Sequence, residues 1–361
     1  MAEEDGDRTT VGGGLANALA ISWIAALSLL LSAAILTTIF GNPYVGDPLV
    51  RMAVHKAINR SEPEGRLSHA GQTANPSPPS VPSASPPAIT KPVYAGGALV
   101  ADPALLEPGA TGALPRISAD GRTPMAAYAG MLPPDSKGPR IVIIVNGLGI
   151  SARQTEAALE SLPPAVTLAF APYADDVGHW VTEARRLGHE VLLAVPMEAN
   201  QRPGQDPGPH TLRADPDTAA NIQRLDWALG RFTGYVGVTN MQGGRFLADS
   251  GALTPIMDAL AKRGLLFLDD GDPSHSAATD AASRTGIAFA RSNLQLDGAG
   301  TASDIDEKLA ELERSARTRG YASGTVNLTP LALARIQFWA ATLRDAKIVP
   351  ASAIASPART E

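Results

Sequence analysis

Six residues of this chain carry side chains suited to chemistry, and each stands at or just after the end of an apolar run: Asn146, Glu198, Asn240, Arg245, Asp269 and Asp270. Asp269-Asp270-Gly271-Asp272 concentrates carboxylates. Such a cluster binds a cation or supplies a general base; it equally makes the turn and N-cap ahead of a helix starting near Ser274. Glu198 follows Pro196-Met197, where a carboxylate holds a ligand or pairs with an arginine. Gly243-Gly244 before Arg245 lets a backbone approach a ligand closely, or simply makes a loop. Asp297 and Asn327 come later in the same pattern. Amide, carboxylate and guanidinium groups together suit the hydroxyls and amides of sugars.

Other chemistries are absent from the pattern. His179, His210 and His275 stand apart, with no His-x-x-x-His spacing and no carboxylate at zinc-site spacing, so no metal ligand is assigned. His189 precedes the third strand and reads as a structural hydrogen-bonding residue. No Ser-His-Asp set and no GxxxxGK loop occurs. With no cysteine, disulfides and thiolate metal sites are excluded. The net charge of −6 argues against nucleic acid as a partner, because phosphate binding needs a basic face.

The elements that must position these residues begin at Arg140. Ile141 to Val145 are five β-branched apolar residues in a row, without alternation. A strand of that kind is buried on both faces, as in a parallel sheet covered by helices. Asn146-Gly147-Leu148-Gly149 ends it, and Ser151 takes the N-cap position of a helix from Ala152 to Leu159. Further strand-like runs are 166–170, 190–195, 235–238, 265–268, 287–290, 322–326 and 348–349. Helical patterns fall at 182–187, 217–232 (capped by Asp215 or Asp217), 255–263, 274–283, 303–319 and 330–344. Seven or eight β-then-α units predict an α/β fold closed into a (β/α) barrel, since open doubly wound sheets usually have fewer strands. Barrels of this class place functional residues just after their strands.

Ahead of the barrel the composition changes. Residues 1–14 open with the acidic Glu3, Glu4, Asp5 and Asp7, and no charged residue occurs from Val11 to Tyr44. The apolar run 15–40 is long enough for the roughly 20 residues that cross a bilayer, which predicts a retained transmembrane helix rather than a cleaved signal peptide. Residues 41–139 read as a disordered tether, with Asn75 to Pro87 a polyproline-like spacer and the scattered apolar residues of Ala101 to Met131 packing loosely on the domain edge without assigned structure. Residues 353–361 read as a disordered tail after a domain at 140–352. Arg8 stands before the span, whereas Arg51, Lys56 and Arg60 follow it, a small bias toward a cytoplasmic C-terminal side. A long exported domain is not governed by that bias, and the Pro-Ser stalk favours export.

Several segments resemble the divergent polysaccharide deacetylase family: Asn146-Gly147-Leu148-Gly149, Leu162-Pro163 through Val166 to Tyr173, Gly188 to Leu193, Pro196-Met197-Glu198, Val236 to Asn240 with Gly243 to Phe246, and Gly264 to Asp270. The match is collinear from about residue 140 to 352. The resemblance implies a distorted (β/α) barrel related to metal-dependent carbohydrate esterases, on the periplasmic side of Gram-negative bacteria. This chain departs from the family's pattern at its metal-binding positions. Asn146-Gly147 stands where the family usually has Asp-Asp, and Met241 where it has His. Ala194 replaces another His, and Gly324 to Pro330 lacks a late one. Neutral amide and thioether cannot replace carboxylate and imidazole for a hard or borderline divalent ion.

The sequence therefore predicts a single-pass inner-membrane protein with a periplasmic domain. Its partner is an envelope carbohydrate, bound at the mouth formed by the six residues named first, with catalysis lost or weak and no cofactor. An active metal-dependent deacetylase using Asp269, Asp270 and Asp297 with an unusual metal set is the enzymatic alternative. A scaffold of an envelope complex, using the outer helical face, is the structural one.

Overall fold

The computed structural model of the chain describes residues 94–95, 98–99, 101–134, 137–200, 208–215, 217–271 and 274–357. The apolar run 15–40, most of the tether and residues 358–361 lie outside them. Among the described residues no helix is long and apolar enough to cross a membrane.

Strand β5, Arg140–Leu148, has Ile141 to Ile144 fully buried. Its lack of alternation has the cause expected: Ile141, Ile143 and Val145 pack under the helices, while Val142 and Ile144 enter a second core inside the curled sheet. Four parallel strands extend the sheet from β5: β6 (Thr167–Phe170), β7 (Val191–Met197), β8 (Gly237–Gln242) and β9 (Leu266–Asp269). β10 (Ala288–Arg291) continues parallel to β9, and on the other side β12 (Tyr321–Asn327) runs parallel to β5 and to β11 (Leu294–Gln295). The short β13 (Lys347–Ile348) also pairs with β5.

Only Ser292-Asn293 separate β10 from β11, yet these strands stand at opposite sides of the ladder. Ser292 N–H donates to Asp269 O at 2.8 Å and Asn293 N–H to Ser323 O at 2.9 Å. The chain itself thus crosses from β9 to β12 and closes a distorted (β/α) barrel. No apolar run marks β11.

Helices fill the connections. Ser151 caps Ala152–Ser161, Asp217 caps Thr218–Leu229, Thr301 caps Ala302–Arg319, and Thr329 caps Pro330–Thr342, each accepting a backbone N–H of the first turn. Val177–Arg186 starts earlier than the pattern 182–187 suggests. Ser250–Lys262 likewise begins before Pro255: Asp249 is the cap, accepting from Gly251 and Ala252, and Pro255 lies inside the helix. The expected start at 255 therefore falls inside the helix.

The tether boundary at 139 is corrected. Residues 101–134 carry a 3₁₀ turn at Pro103–Leu105, a hairpin of β3 (Leu106–Pro108) and β4 (Ala113–Pro115), and a helix at Pro124–Tyr128. Leu105 and Tyr128 bury themselves against Val142 and Ile144, sealing the barrel where its strands begin. The scattered apolar residues here are a plug, and plugs have no periodicity to read. Upstream, β1 (Tyr94–Ala95) and β2 (Ala98–Leu99) form another small hairpin. The tail boundary moves too: Ser356–Pro357, β14, pairs antiparallel with β10.

Glu190 holds this floor together. Fully buried at the foot of β7, its carboxylate accepts from Gly130 N at 2.9 Å, Ser352 N at 3.0 Å, Thr167 Oγ1 at 3.3 Å and the Ser352 hydroxyl. Both ends of the domain are tied to one carboxylate by neutral donors. Glu190→Ala strands these donors and is expected to cost about 3 kcal/mol, read as a lower urea midpoint. An unchanged midpoint would show that the floor does not need the carboxylate.

Candidate functional site

Asn146 continues the inward alternation of Val142 and Ile144, so it reaches the open end of the barrel. A bulge between Asn146 and Leu148, with Gly147 at φ +86°, turns the chain out of the strand. Asn146 Nδ2 donates to Asp270 Oδ2 at 2.8 Å. From β8, the buried Asn240 accepts the Asp270 backbone N–H at 3.0 Å and donates Nδ2 to Gln242 O at 2.7 Å. Asn146, Asn240 and Asp270 therefore form one constellation built from three strand ends.

Asp270 is half-buried, and protein atoms crowd its carboxyl. Burial pushes its pKa up to about 7, aided by the nearby Asp269 charge, and the Asn146 and Asn240 amides oppose the rise only in part. The buried Asn146 Oδ1 and, on β8, the buried Thr239 Oγ1 have no hydrogen-bond partner among the described residues.

Asp269 does not belong to this mouth. It is fully buried on the opposite side of β9, and Arg291, level with it on β10, donates Nη2 and Nε to Oδ2 at 2.7 and 3.1 Å. Ser276 Oγ donates to the same oxygen at 2.8 Å, and Gly271 N to Oδ1 at 2.9 Å. The adjacent aspartates face opposite ways because strand side chains alternate. Nor is Asp269 a helix cap: the next helix is Ala278–Thr285, preceded by Ala277. Asp272 lies outside the described residues.

Glu198 and Arg245 meet as an ion pair at 2.9 Å, with the Arg245 side chain about half exposed at 47% and that of Glu198 at 16%. Glu198 Oε2 also accepts Ala214 N at 2.8 Å, and its backbone O accepts the N–H groups of Arg245 and Phe246. Glu198 thus clamps the short helix Gly244–Ala248 and the loop at 214 onto the rim. Gly243 has φ +98°, and a Cβ on Gly244 would stand 2.7 Å from Asn200 Nδ2. Both glycines are required by the turn itself. Asp297 stands apart, accepting Asn327 N and Nδ2 at 3.0 and 3.1 Å.

Asp269, Asp270 and Asp297 are therefore not brought together. Among the described residues no group of three or more His, Asp or Glu side chains could hold a metal ion. The donor set at the strand ends does not fit a divalent ion either: Asn146 presents an amide, Ala194 no donor, and Met241 a thioether. His189 is buried with Nδ1 3.0 Å from Val166 O, the structural role its position suggested.

One cluster escaped the sequence pattern. His210 stacks on Trp227 with ring centres 3.7 Å apart and planes 9° from parallel, and Tyr173 lies 5.1 Å from Trp227. Pro172-Tyr173 after β6 was its one visible signal. A cavity of about 340 Å³, lined by Met131, Pro133 and Pro164 among others, lies where β6 and β7 begin, away from the mouth.

Fold and strand ends together define a (β/α) barrel with a polar mouth at the C-terminal ends of its strands. The chain belongs to the divergent polysaccharide deacetylase family, whose family model matches residues 143–355. It is similar to the uncharacterized protein YibQ of Escherichia coli strain K12, 25% identical over 166 residues that cover 46% of this chain and 51% of that protein. The match thus spans about half the length of YibQ. An uncharacterized protein of Haemophilus influenzae Rd is 23% identical over 198 residues, 55% of this chain and 70% of that one. The crystal structure of an uncharacterized Agrobacterium tumefaciens C58 protein superposes with a TM-score of 0.65 at 41% identity, covering 67% of this chain and 99% of that one.

The raised carboxyl of Asp270 makes a signed prediction. Its stabilising protonated form is complete below the unfolded value near 3.8 and is lost as pH rises toward about 7. Stability of the protein relative to Asp270→Asn should therefore fall between those limits and level off above them. Urea midpoints of both proteins across that range check it; a difference that rises with pH would reverse the assignment.

Proposed function

We propose that this chain is a membrane-anchored, carbohydrate-binding member of its family in the cell envelope, with metal-dependent catalysis lost or weak. The observation that carries this reading is the Asn146–Asp270 hydrogen bond. At the position where the resemblance implies a metal-binding carboxylate, an amide instead donates to the acid that faces it. Gly147, where the family has its second Asp, sits at φ +86°, a backbone region that favours glycine. Asp270, Asn146, Asn240, Glu198 and Arg245 offer the mixed donors and acceptors that bind the hydroxyls and amide of an acetylated or amino sugar. Asp269 serves the fold.

One observation favours a second reading. A mouth carboxyl with a pKa near 7 suits a general base at neutral pH. Under that reading Asp270 would assist slow hydrolysis.

Calorimetry with N-acetylglucosamine oligomers tests binding. Arg245→Ala should weaken it by about 1–3 kcal/mol. The fold should lose under about 1 kcal/mol, because the pair is at the rim. Acetate release with and without added zinc or cobalt tests catalysis: rapid metal-dependent release by the unmodified protein overturns the non-catalytic reading.

Anchoring rests on the apolar run 15–40, with the domain in the periplasm. Alkaline phosphatase fused at residue 135 should be active. An inactive fusion, with a cytoplasmic reporter active at the same point, would reverse the topology.

A further inference from the structure

The aromatic cluster that follows β6 and β7 has arginine beside it. Tyr173 stands three residues beyond β6, and His210 two residues before Leu212, which bridges to Met197 at the end of β7. The cluster therefore lies at the same end of the barrel as Asn146 and Asp270. His210 N–H donates to Tyr173 Oη at 3.1 Å, which ties the loop to the rim. Trp227 is half-buried, with His210 stacked on its ring and the Arg231 guanidinium 5.5 Å from its centre.

Two guanidinium groups face this stack. Arg231 donates Nε to Pro172 O at 2.8 Å, and Arg224 donates Nη1 to Asn221 Oδ1 at 2.9 Å. Among the described residues neither has a carboxylate partner. Asp175 and Asp176, close by in sequence, form no ion pair with them, and Asp226 on the same helix pairs with Arg263 at 3.2 Å. His210 feels both positive charges: burial first, then Arg224 and Arg231, lowers its pKa, so a neutral ring is favoured.

At the neighbouring strand ends, Arg245 is matched with Glu198 and Arg291 with Asp269. Two guanidinium groups with no carboxylate partner among the described residues, beside half-buried rings, point to an acid supplied by a ligand. We propose that Tyr173, His210, Trp227, Arg224 and Arg231 form a subsite for a carboxylate-bearing sugar, adjoining the mouth. The subsite rests on the carbohydrate reading given above and extends it to acidic glycans. Sugar rings pack flat against aromatic rings, and a guanidinium fork matches the two oxygens of a carboxylate. Because Nε of Arg231 is spent on Pro172, its terminal nitrogens remain for a two-oxygen group.

Binding of tetragalacturonate and of its fully methyl-esterified form to the full chain tests this, read by tryptophan fluorescence. Trp227→Phe identifies the part of the signal that comes from the cluster. The acid is expected to bind about tenfold tighter than the ester, one charge-assisted contact's worth, and the preference should shrink as salt rises. Arg224→Gln with Arg231→Gln should bring the two ligands within about twofold, with circular dichroism unchanged. Equal affinity for acid and ester in the unmodified protein overturns the subsite, as does a preference that survives in the double variant or no binding of the acid at all. A tetramer of N-acetylglucosamine separates the two readings. If it binds while the acid preference is absent, the subsite fails and the mouth reading stands. If it does not bind while the acid shows its arginine-dependent preference, the subsite stands and the mouth reading fails.

Discussion

A single buried carboxylate, that of Asp269, governs the arrangement of the open end of this barrel. With no exposed surface, it depends on the charge of Arg291 and on the donors of Ser276 and Gly271. Removing one partner of such a pair typically costs about 3–5 kcal/mol, because the other charge stays buried alone. The pair holds β9 level with β10, next to the crossing at Ser292 where the barrel closes. It also decides what Asp270 does. With Asp269 locked toward the helices, strand alternation turns Asp270 toward Asn146 and Asn240.

The mouth that results is mostly amide. A carboxylate at 146 would set two acids face to face across the 2.8 Å that now separates an amide nitrogen from Asp270. A shared proton or a cation would be needed to hold them there. Asn146 removes that need, and Asp270 keeps a raised pKa because burial outweighs its two amide partners. Membership of the divergent polysaccharide deacetylase family thus comes with a site whose acid is held by two amides, while Asn146 Oδ1 stays without a partner among the described residues. At the other end of the barrel, Glu190 uses neutral donors in the same manner to fasten the segments that enter and leave the domain.

Much of the scaffold was legible in the sequence because its signals are local. Unalternating Ile141 to Val145 declares a strand covered on both faces, and the caps at Ser151 and Asp217 each act within one turn. Strand order and the placement of functional residues after strands follow from the β-then-α rhythm. The plug at 101–134 was not legible, since its residues are shaped by the barrel floor and share no period. Strand β11 was hidden for a related reason: two residues carry no pattern, and their pairing comes from the crossing at Ser292-Asn293.

The six site residues divide along the same line. Their types and their position after strands came from the sequence alone, which determined that this end of the barrel is polar and that Asn146, Ala194 and Met241 stand there. Which of them face one another was decided only by the tertiary structure. Asn146, Asn240 and Asp270 converge, Glu198 and Arg245 pair at the rim, and Asp269 turns away into the core. Residues 269 and 270 are neighbours in the chain, but a strand sends adjacent side chains to opposite faces. The partner that consumes Asp269 is 22 residues distant, at Arg291. Pairing across strands is a property of register and closure, and no local pattern of residues encodes it.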